Sequence, residues 1–245
     1  MTSTSHPLRS VLYMPGINAR ALEKAQNLAA DCLVFDLEDA VAPDAKEVAR
    51  KQVCDAATSG AYGQRHIVIR ANGLDTPWGA DDIAAVAASG AHAVLIPKVE
   101  SADMVKSVEA QMQKAGAPAD QTIWCMMETP LGMLHAEEIA SASDRLSCFV
   151  MGTSDLVKDM HAQHTALRLP VLTGLSLSIL AARAYGLRVL DGVYLDLADD
   201  EGFVASCSQG LELGFDGKTL IHPKQLAAAN EAFGLSADDV HQAER

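Results

Sequence analysis

Glu128 follows the apolar run Ile123 to Met127, and Asp155 follows Cys148 to Met151 by a few residues. Two hard carboxylate donors at the ends of adjacent strands, completed by water and substrate oxygens, suit Mg2+, with Mn2+ as an alternative. Other short apolar runs also close on polar groups. These are Pro15-Gly16, Asp36 with Glu38 and Asp39, Arg70 with Asn72, Lys98 with Glu100, Gly152-Thr153-Ser154 ahead of Asp155, Asp196, and His222-Pro223. Carboxylates outnumber bases in this set, and crowded like charges are costly unless a cation or a shared proton relieves them. A metal is the economical relief.

Arg70 ends an apolar strand, where a buried cation is unfavourable unless it meets an anion, and its planar fork suits a carboxylate. Substrate binding is the leading reading of Arg70; a structural ion pair with Glu38 or Asp39 is the alternative. Lys98 raises Schiff-base aldolase chemistry, which needs a desolvated amine with a lowered pKa. A salt bridge within the acidic rim is the expectation preferred for it. His161 and His164 have HxxH spacing but no third ligand at metal spacing, so they read as a solvated loop. No GxSxG elbow, Walker loop or GxGxxG turn occurs.

The elements that must position these groups repeat as short apolar or β-branched runs separated by amphipathic stretches, the pattern of parallel βαβ units. The strand cores are Ser10 to Met14, Cys32 to Asp36, His66 to Arg70, Ala93 to Pro97, Ile123 to Met127, Cys148 to Met151, Val189 to Tyr194 and Gly217 to Ile221. Helical spacing marks Asn18 to Ala29, Ala80 to Ser89, Ala102 to Ala115, Leu134 to Ala142 and Gly174 to Tyr185. Eight strands in this alternation predict one (β/α)8 TIM barrel spanning residues 1–245. In such a barrel the C-terminal strand ends line the active site, which is where the polar groups fall.

At 245 residues and 49% apolar composition, the chain matches one barrel domain. Its 32 acidic and 19 basic side chains leave a net charge of −13, which disfavours nucleic acid and anionic membranes as partners. An anionic metabolite needs a local cationic site against that field. Five scattered cysteines read as reduced residues, and no stretch of about 18 apolar residues is present, so a cytoplasmic location is expected.

The sequence resembles the HpcH/HpaI aldolase and citrate lyase β-subunit superfamily, in particular its CoA-ester lyases of the malyl-CoA lyase type. The resemblance runs through Tyr13-Met-Pro-Gly to Ala19-Arg-Ala-Leu-Glu-Lys, Phe35-Asp-Leu-Glu-Asp-Ala-Val, Ile69-Arg-Ala-Asn and Ile96-Pro-Lys-Val-Glu. It continues in Met127-Glu-Thr-Pro, Met151-Gly-Thr-Ser-Asp-Leu, Val189-Leu-Asp-Gly-Val-Tyr, and Gly214-Phe-Asp-Gly-Lys to Ile221-His-Pro. It implies that Glu128 and Asp155 coordinate Mg2+, and that Arg70 meets the keto or carboxylate end of the substrate. Gly152 and Thr153 would contact substrate, and Arg20 and Lys24 would meet CoA phosphates. Glu38 and Asp39, with Lys98 beside them, would stand behind these groups and orient metal waters or Arg70.

The implied activity is Mg2+-dependent carbon-carbon cleavage or formation in a malyl-, citramalyl- or β-methylmalyl-type 3-hydroxyacyl-CoA, giving an acyl-CoA and a 2-oxo acid. A (3S)-malyl-CoA thioesterase and a citrate lyase β-like subunit served by an acyl carrier are the alternatives that the resemblance leaves open. It also implies a homo-oligomer, trimeric or hexameric. Relatives usually run on past the point matching Ala243-Glu-Arg245 into a segment that places an acidic residue in a neighbouring subunit's site. That extension is expected to be absent here, which leaves the general acid/base unassigned: the chain is a truncated form, works without that residue, or has an activity other than the lyases'.

Overall fold

A computed structural model describes residues 6–234. The chain end at Ala243-Glu-Arg245, on which the expectation of a missing extension turns, lies outside them. The strands are β1 (Ser10–Pro15), β2 (Cys32–Asp36), β3 (His66–Arg70), β4 (Ala93–Ile96), β5 (Thr122–Met127), β6 (Leu146–Met151), β7 (Arg188–Asp191) and β8 (Gly217–Leu220). All pair in parallel, each with its sequence neighbours, and β8 closes on β1. The expected TIM barrel is the observed fold.

Around it run α1 (Ala19–Ala25), α2 (Lys46–Thr58), α3 (Gly79–Ala87), α4 (Ala102–Lys114), α5 (Pro130–Leu134), α6 (Ala136–Ala140), α7 (Thr153–Asp159), α8 (Leu172–Ala184), α9 (Asp200–Leu213) and α10 (Leu226–Ala232). Because both faces of a parallel strand are covered, its residues are buried without alternation, as in β2 and β4. Inward side chains such as Val34, Val68, Leu95, Trp124 and Leu190 fill the barrel, so it is a packed core rather than a pore. The opposite faces meet the helices. In α4, Val105, Val108 and Met112 form the buried stripe, and Ser101 caps the helix by accepting from the Met104 amide.

Two features differ from the sequence reading. Strand seven was expected to reach Tyr194 but ends at Asp191, where the Gly192 amide turns to the Asp191 carboxylate instead of continuing the ladder. Asp191 is fully buried against Lys218 and Arg168, at 2.7 and 2.6 Å, so Asp196 is not the residue closing this strand. The stretch Leu134 to Ala142 is divided at His135 into α5 and α6, while α2, α7, α9 and α10 were not marked. Glycines and polar runs hide α9, which Asp199 caps and Gly214 ends in the left-handed conformation at φ 100°.

No helix among the described residues is long and apolar enough to cross a membrane. All five cysteines are free thiols, four of them buried.

Candidate active site

The strand ladders continue past the strands and fix the first loop residues at the C-terminal mouth. The Gly16 amide donates to the Asp36 carbonyl, Leu37 to Arg70, Ala71 to Leu95 and Gly152 to Met127, all at 2.9 to 3.0 Å. Polar side chains just beyond the strands are thereby held at one height. They surround a cavity of about 390 Å3 whose lining includes Tyr13, Asp36, Asp39, Arg70, Met126, Glu128, Gly152, Thr153, Asp155 and Thr219.

Asp36 and Arg70 are register partners at the ends of β2 and β3. The guanidinium forms a fork on Asp36 (Nε to Oδ1 2.7 Å, Nη2 to Oδ2 2.6 Å), and Nη1 reaches Glu38 at 2.6 Å and Asp39 at 3.4 Å. The ion pair with Glu38 weighed as the alternative for Arg70 is therefore present, with Asp36 as a stronger partner that the sequence reading did not assign. The signal for Asp36 was its place at the end of an apolar run beside the run ending in Arg70. Burial opposes the charge on Arg70, but Asp36 and Glu38 outweigh it and keep the group protonated. Arg70 still lines the cavity, so a substrate anion can approach it from the open side.

Glu128 is 1% exposed. Its Oε1 accepts the Lys98 amide at 2.8 Å, and for this the Lys98 backbone adopts φ 48°, a left-handed conformation uncommon for a residue with a side chain. The expected salt bridge of Lys98 is a correction: among the described residues its ammonium pairs with no carboxylate within 4 Å, and the contact to the acidic rim runs through its backbone. The exposed side chain explains this, since water already solvates the ammonium. Burial lowers the Lys98 pKa, but Glu38, Asp155 and Glu128 together raise it, the opposite of what a Schiff-base amine needs.

Five carboxylates, Asp36, Glu38, Asp39, Glu128 and Asp155, gather around Arg70 and Lys98. Burial, partly opposed by Arg70, with Asp39 and Asp36 adding to it, pushes Glu38 up to about 7. Burial pushes Glu128 up to about 8 against the Lys98 N–H, with Glu38 and Asp155 contributing repulsion. Its second oxygen, Oε2, has no donor among the described residues and lies against Gly152, at the start of the turn that carries Asp155 into α7. A carboxylate oxygen with no donor, on a side chain that lines the cavity beside a second carboxylate, fits a hard divalent cation held by Glu128 and Asp155. No group of three or more His, Cys, Asp or Glu side chains with metal-binding geometry occurs among the described residues, which leaves water and substrate to complete such a shell.

The expected substrate-binding residues fall in two groups. Gly152 and Thr153 line the cavity, whereas Arg20 and Lys24 lie on the exposed side of α1 away from its lining. His161 and His164 occupy the loop after α7, outside the lining of this cavity. Tyr13, Met126 and Thr219 belong to the wall although the sequence reading did not single them out as site residues; inward-facing strand positions near the mouth were the available signal.

A model of the HpcH/HpaI aldolase/citrate lyase family matches residues 9–223. A (3S)-malyl-CoA thioesterase of Cereibacter sphaeroides (strain ATCC 17025 / ATH 2.4.3) is 51% identical over 245 residues, covering all of this chain and 84% of that protein. Citrate lyase subunit beta of Escherichia coli (strain K12) is 34% identical over 97% of this chain and 80% of its own length. Among solved structures, the citrate lyase beta subunit of M. tuberculosis complexed with oxaloacetate and magnesium superposes with a TM-score of 0.80 at 29% identity, covering 94% of this chain and 98% of that one. CitE from Mycobacterium tuberculosis in complex with magnesium, acetoacetate and coenzyme A gives a TM-score of 0.81 at 29% identity, over 99% and 86% of the two chains.

Proposed function

The chain belongs to the HpcH/HpaI aldolase/citrate lyase family, and from that premise we propose that it is a Mg2+-dependent enzyme hydrolysing a malyl-type 3-hydroxyacyl-CoA thioester. The observation that carries this reading is the carboxylate pair Glu128 and Asp155 facing Arg70 across one cavity, in a chain 51% identical to a (3S)-malyl-CoA thioesterase. The resemblance put carbon-carbon cleavage first and hydrolysis second; the identity to the thioesterase supports the reverse order.

Glu128 and Asp155 would hold the cation, which supplies Lewis-acid polarisation of substrate oxygens when bound. Arg70, fixed by Asp36 and Glu38, turns its open side to the substrate's carboxylate, so the anionic end is oriented before reaction. Gly152 leaves room for substrate beside Glu128, and Thr153 closes the wall next to it. Water adds to the thioester carbon, the carbon-sulfur bond breaks, and the thiol of CoA leaves with a proton. Arg20 and Lys24 on α1 are proposed contacts for CoA phosphates outside the cavity. Five free cysteines support a reducing compartment such as the cytoplasm. Exposed Leu134 and Leu180, on the adjoining α5 and α8, support contact between copies of the chain.

Lyase chemistry is the second reading, favoured by the 34% identity to citrate lyase subunit beta. One assay separates them: purified protein with (3S)-malyl-CoA and Mg2+, followed for free thiol and for glyoxylate. Thiol without glyoxylate is expected. Glyoxylate formation would replace hydrolysis by cleavage, and no product from a free CoA ester would favour the carrier-dependent subunit.

A further inference from the structure

Tyr13 lines the cavity with a phenol that has no strong acceptor. It stands near the C-terminal end of β1 with the Arg70 guanidinium carbon 5.2 Å from its ring centroid. Its hydroxyl donates only to the Met126 sulfur, at 3.3 Å, among the described residues. A thioether is a weak acceptor, so this half-buried O–H has less than a full hydrogen bond. Burial raises the phenol's pKa despite the neighbouring Arg70, with Asp36, Glu128 and Glu38 adding to the rise, so the group stays protonated and available as a donor at neutral pH.

Met126 takes the place of a stronger acceptor at the hydroxyl. Its terminal methyl lies beside Gly152, 3.0 Å from where a Cβ on that glycine would stand, and the same Cβ would overlap Glu128. The thioether therefore meets the Tyr13 hydroxyl through its sulfur, while its methyl lies at Gly152, the glycine that also borders Glu128. Methionine is unbranched and turns readily about its torsions, so a ligand can displace it at little cost.

We propose that Tyr13 binds the carboxylate-bearing end of the substrate: the Met126 thioether holds its O–H in the free protein, moves aside when substrate enters, and the hydroxyl then donates to a substrate carboxylate oxygen. Tyr13 and Arg70 would thus hold one anionic group from two directions, the phenol edge and the guanidinium. This rests on the functional reading above, because it takes the ligand to be a malyl-type acid presented to Glu128 and Asp155.

The test compares wild type with Tyr13→Phe, which keeps the ring beneath Arg70 and loses only the hydroxyl. (S)-Malate, the acid released by hydrolysis, is titrated by calorimetry at saturating Mg2+. Thermal melting and Mg2+ affinity are recorded as controls, and both should match in the two proteins. A hydrogen bond to a charged acceptor predicts roughly 10- to 100-fold weaker malate binding in the variant, with KM for malyl-CoA rising in step. In wild type carrying 13C-methyl methionine, the Met126 resonance should shift as malate is added. Malate affinity within twofold in the two proteins, or a Met126 signal that does not move, overturns the role of Tyr13 alone. A wild type that binds no malate with Mg2+ overturns the reading on which the proposal rests, and the proposal with it.

Discussion

Arg70 and Asp36 close neighbouring strands in register and meet through two parallel hydrogen bonds of 2.6 and 2.7 Å, both groups buried. A lysine can keep the charge of Arg70 but not the fork. Arg70→Lys should fold and lose turnover on the order of 10²-fold, since both substrate orientation and charge stabilisation depend on the planar group. Asp36→Asn leaves a buried cation short of its main partner and should cost about 3 kcal/mol of stability. Steady-state kinetics and urea unfolding check the two; near wild-type turnover in Arg70→Lys would reduce Arg70 to a structural partner.

Gly152→Ala tests the space beside the carboxylate pair. A methyl group there would overlap Oε2 and Cβ of Glu128, so the carboxylate must move. Mg2+ affinity should fall about 10- to 100-fold, the range seen when a metal ligand loses its support. Calorimetric titration with Mg2+ decides it, with circular dichroism to confirm the barrel. Unchanged affinity would separate Gly152 from the metal site.

Metal dependence should itself depend on pH. In metal-free protein the Glu128 carboxyl titrates at about 8 rather than the ordinary 4.5, so the fold binds this proton more tightly than the unfolded chain does. Its contribution to stability is complete below about 4.5 and lost as pH rises toward 8. Mg2+ replaces the proton, and the rise in melting temperature on adding Mg2+ after EDTA should be larger at pH 8.5 than at pH 6.5. Glu128→Gln should abolish that difference, and Asp155→Asn should weaken Mg2+ binding with the fold retained. A rise that is equal at both pH values in wild type would remove Glu128 from the metal shell.

The opposite sign is expected at the other mouth of the barrel. His66 stacks on His92 and Trp124 at ring distances of 4.4 and 5.7 Å, with His6 at 6.0 Å. Burial first, then repulsion from His92, His6 and Arg188, lowers its pKa from 6.5 to about 3. The unfolded chain binds this proton more readily. The stability due to neutral His66 is therefore present above 6.5 and lost as pH falls toward 3. Urea midpoints of wild type should drop between pH 6.5 and 4.5, and His66→Gln should flatten that drop; an equal slope in both proteins would assign it to other groups.

Lys98 should prove dispensable as an amine. Its raised pKa disfavours an imine, so borohydride added during turnover should trap no substrate on the protein. Mass spectrometry showing covalent substrate on Lys98 would reinstate the aldolase alternative.

Composition and periodicity determined the architecture. Apolar runs covered on both faces can only be parallel strands between helices, and eight of them in alternation close into a barrel whose C-terminal ends face one mouth. For that reason Arg70, Glu128, Asp155, Gly152 and Thr153 were legible as neighbours before any coordinate: chain order and strand ends fixed their height. The contacts among them were not legible, because a contact at the mouth depends on interstrand register and on single backbone torsions. Register puts Asp36, rather than Glu38 or Asp39 alone, into the fork of Arg70. One left-handed residue aims the Lys98 amide at Glu128 while its ammonium stays in solvent. β7 stops at Asp191 because that carboxylate takes the next amide and two cations, an outcome set by Arg168 and Lys218 from other parts of the chain. The same holds for Tyr13 and Met126, which lie 113 residues apart. Each looks like an ordinary strand residue in sequence, and only barrel closure brings the hydroxyl to the sulfur.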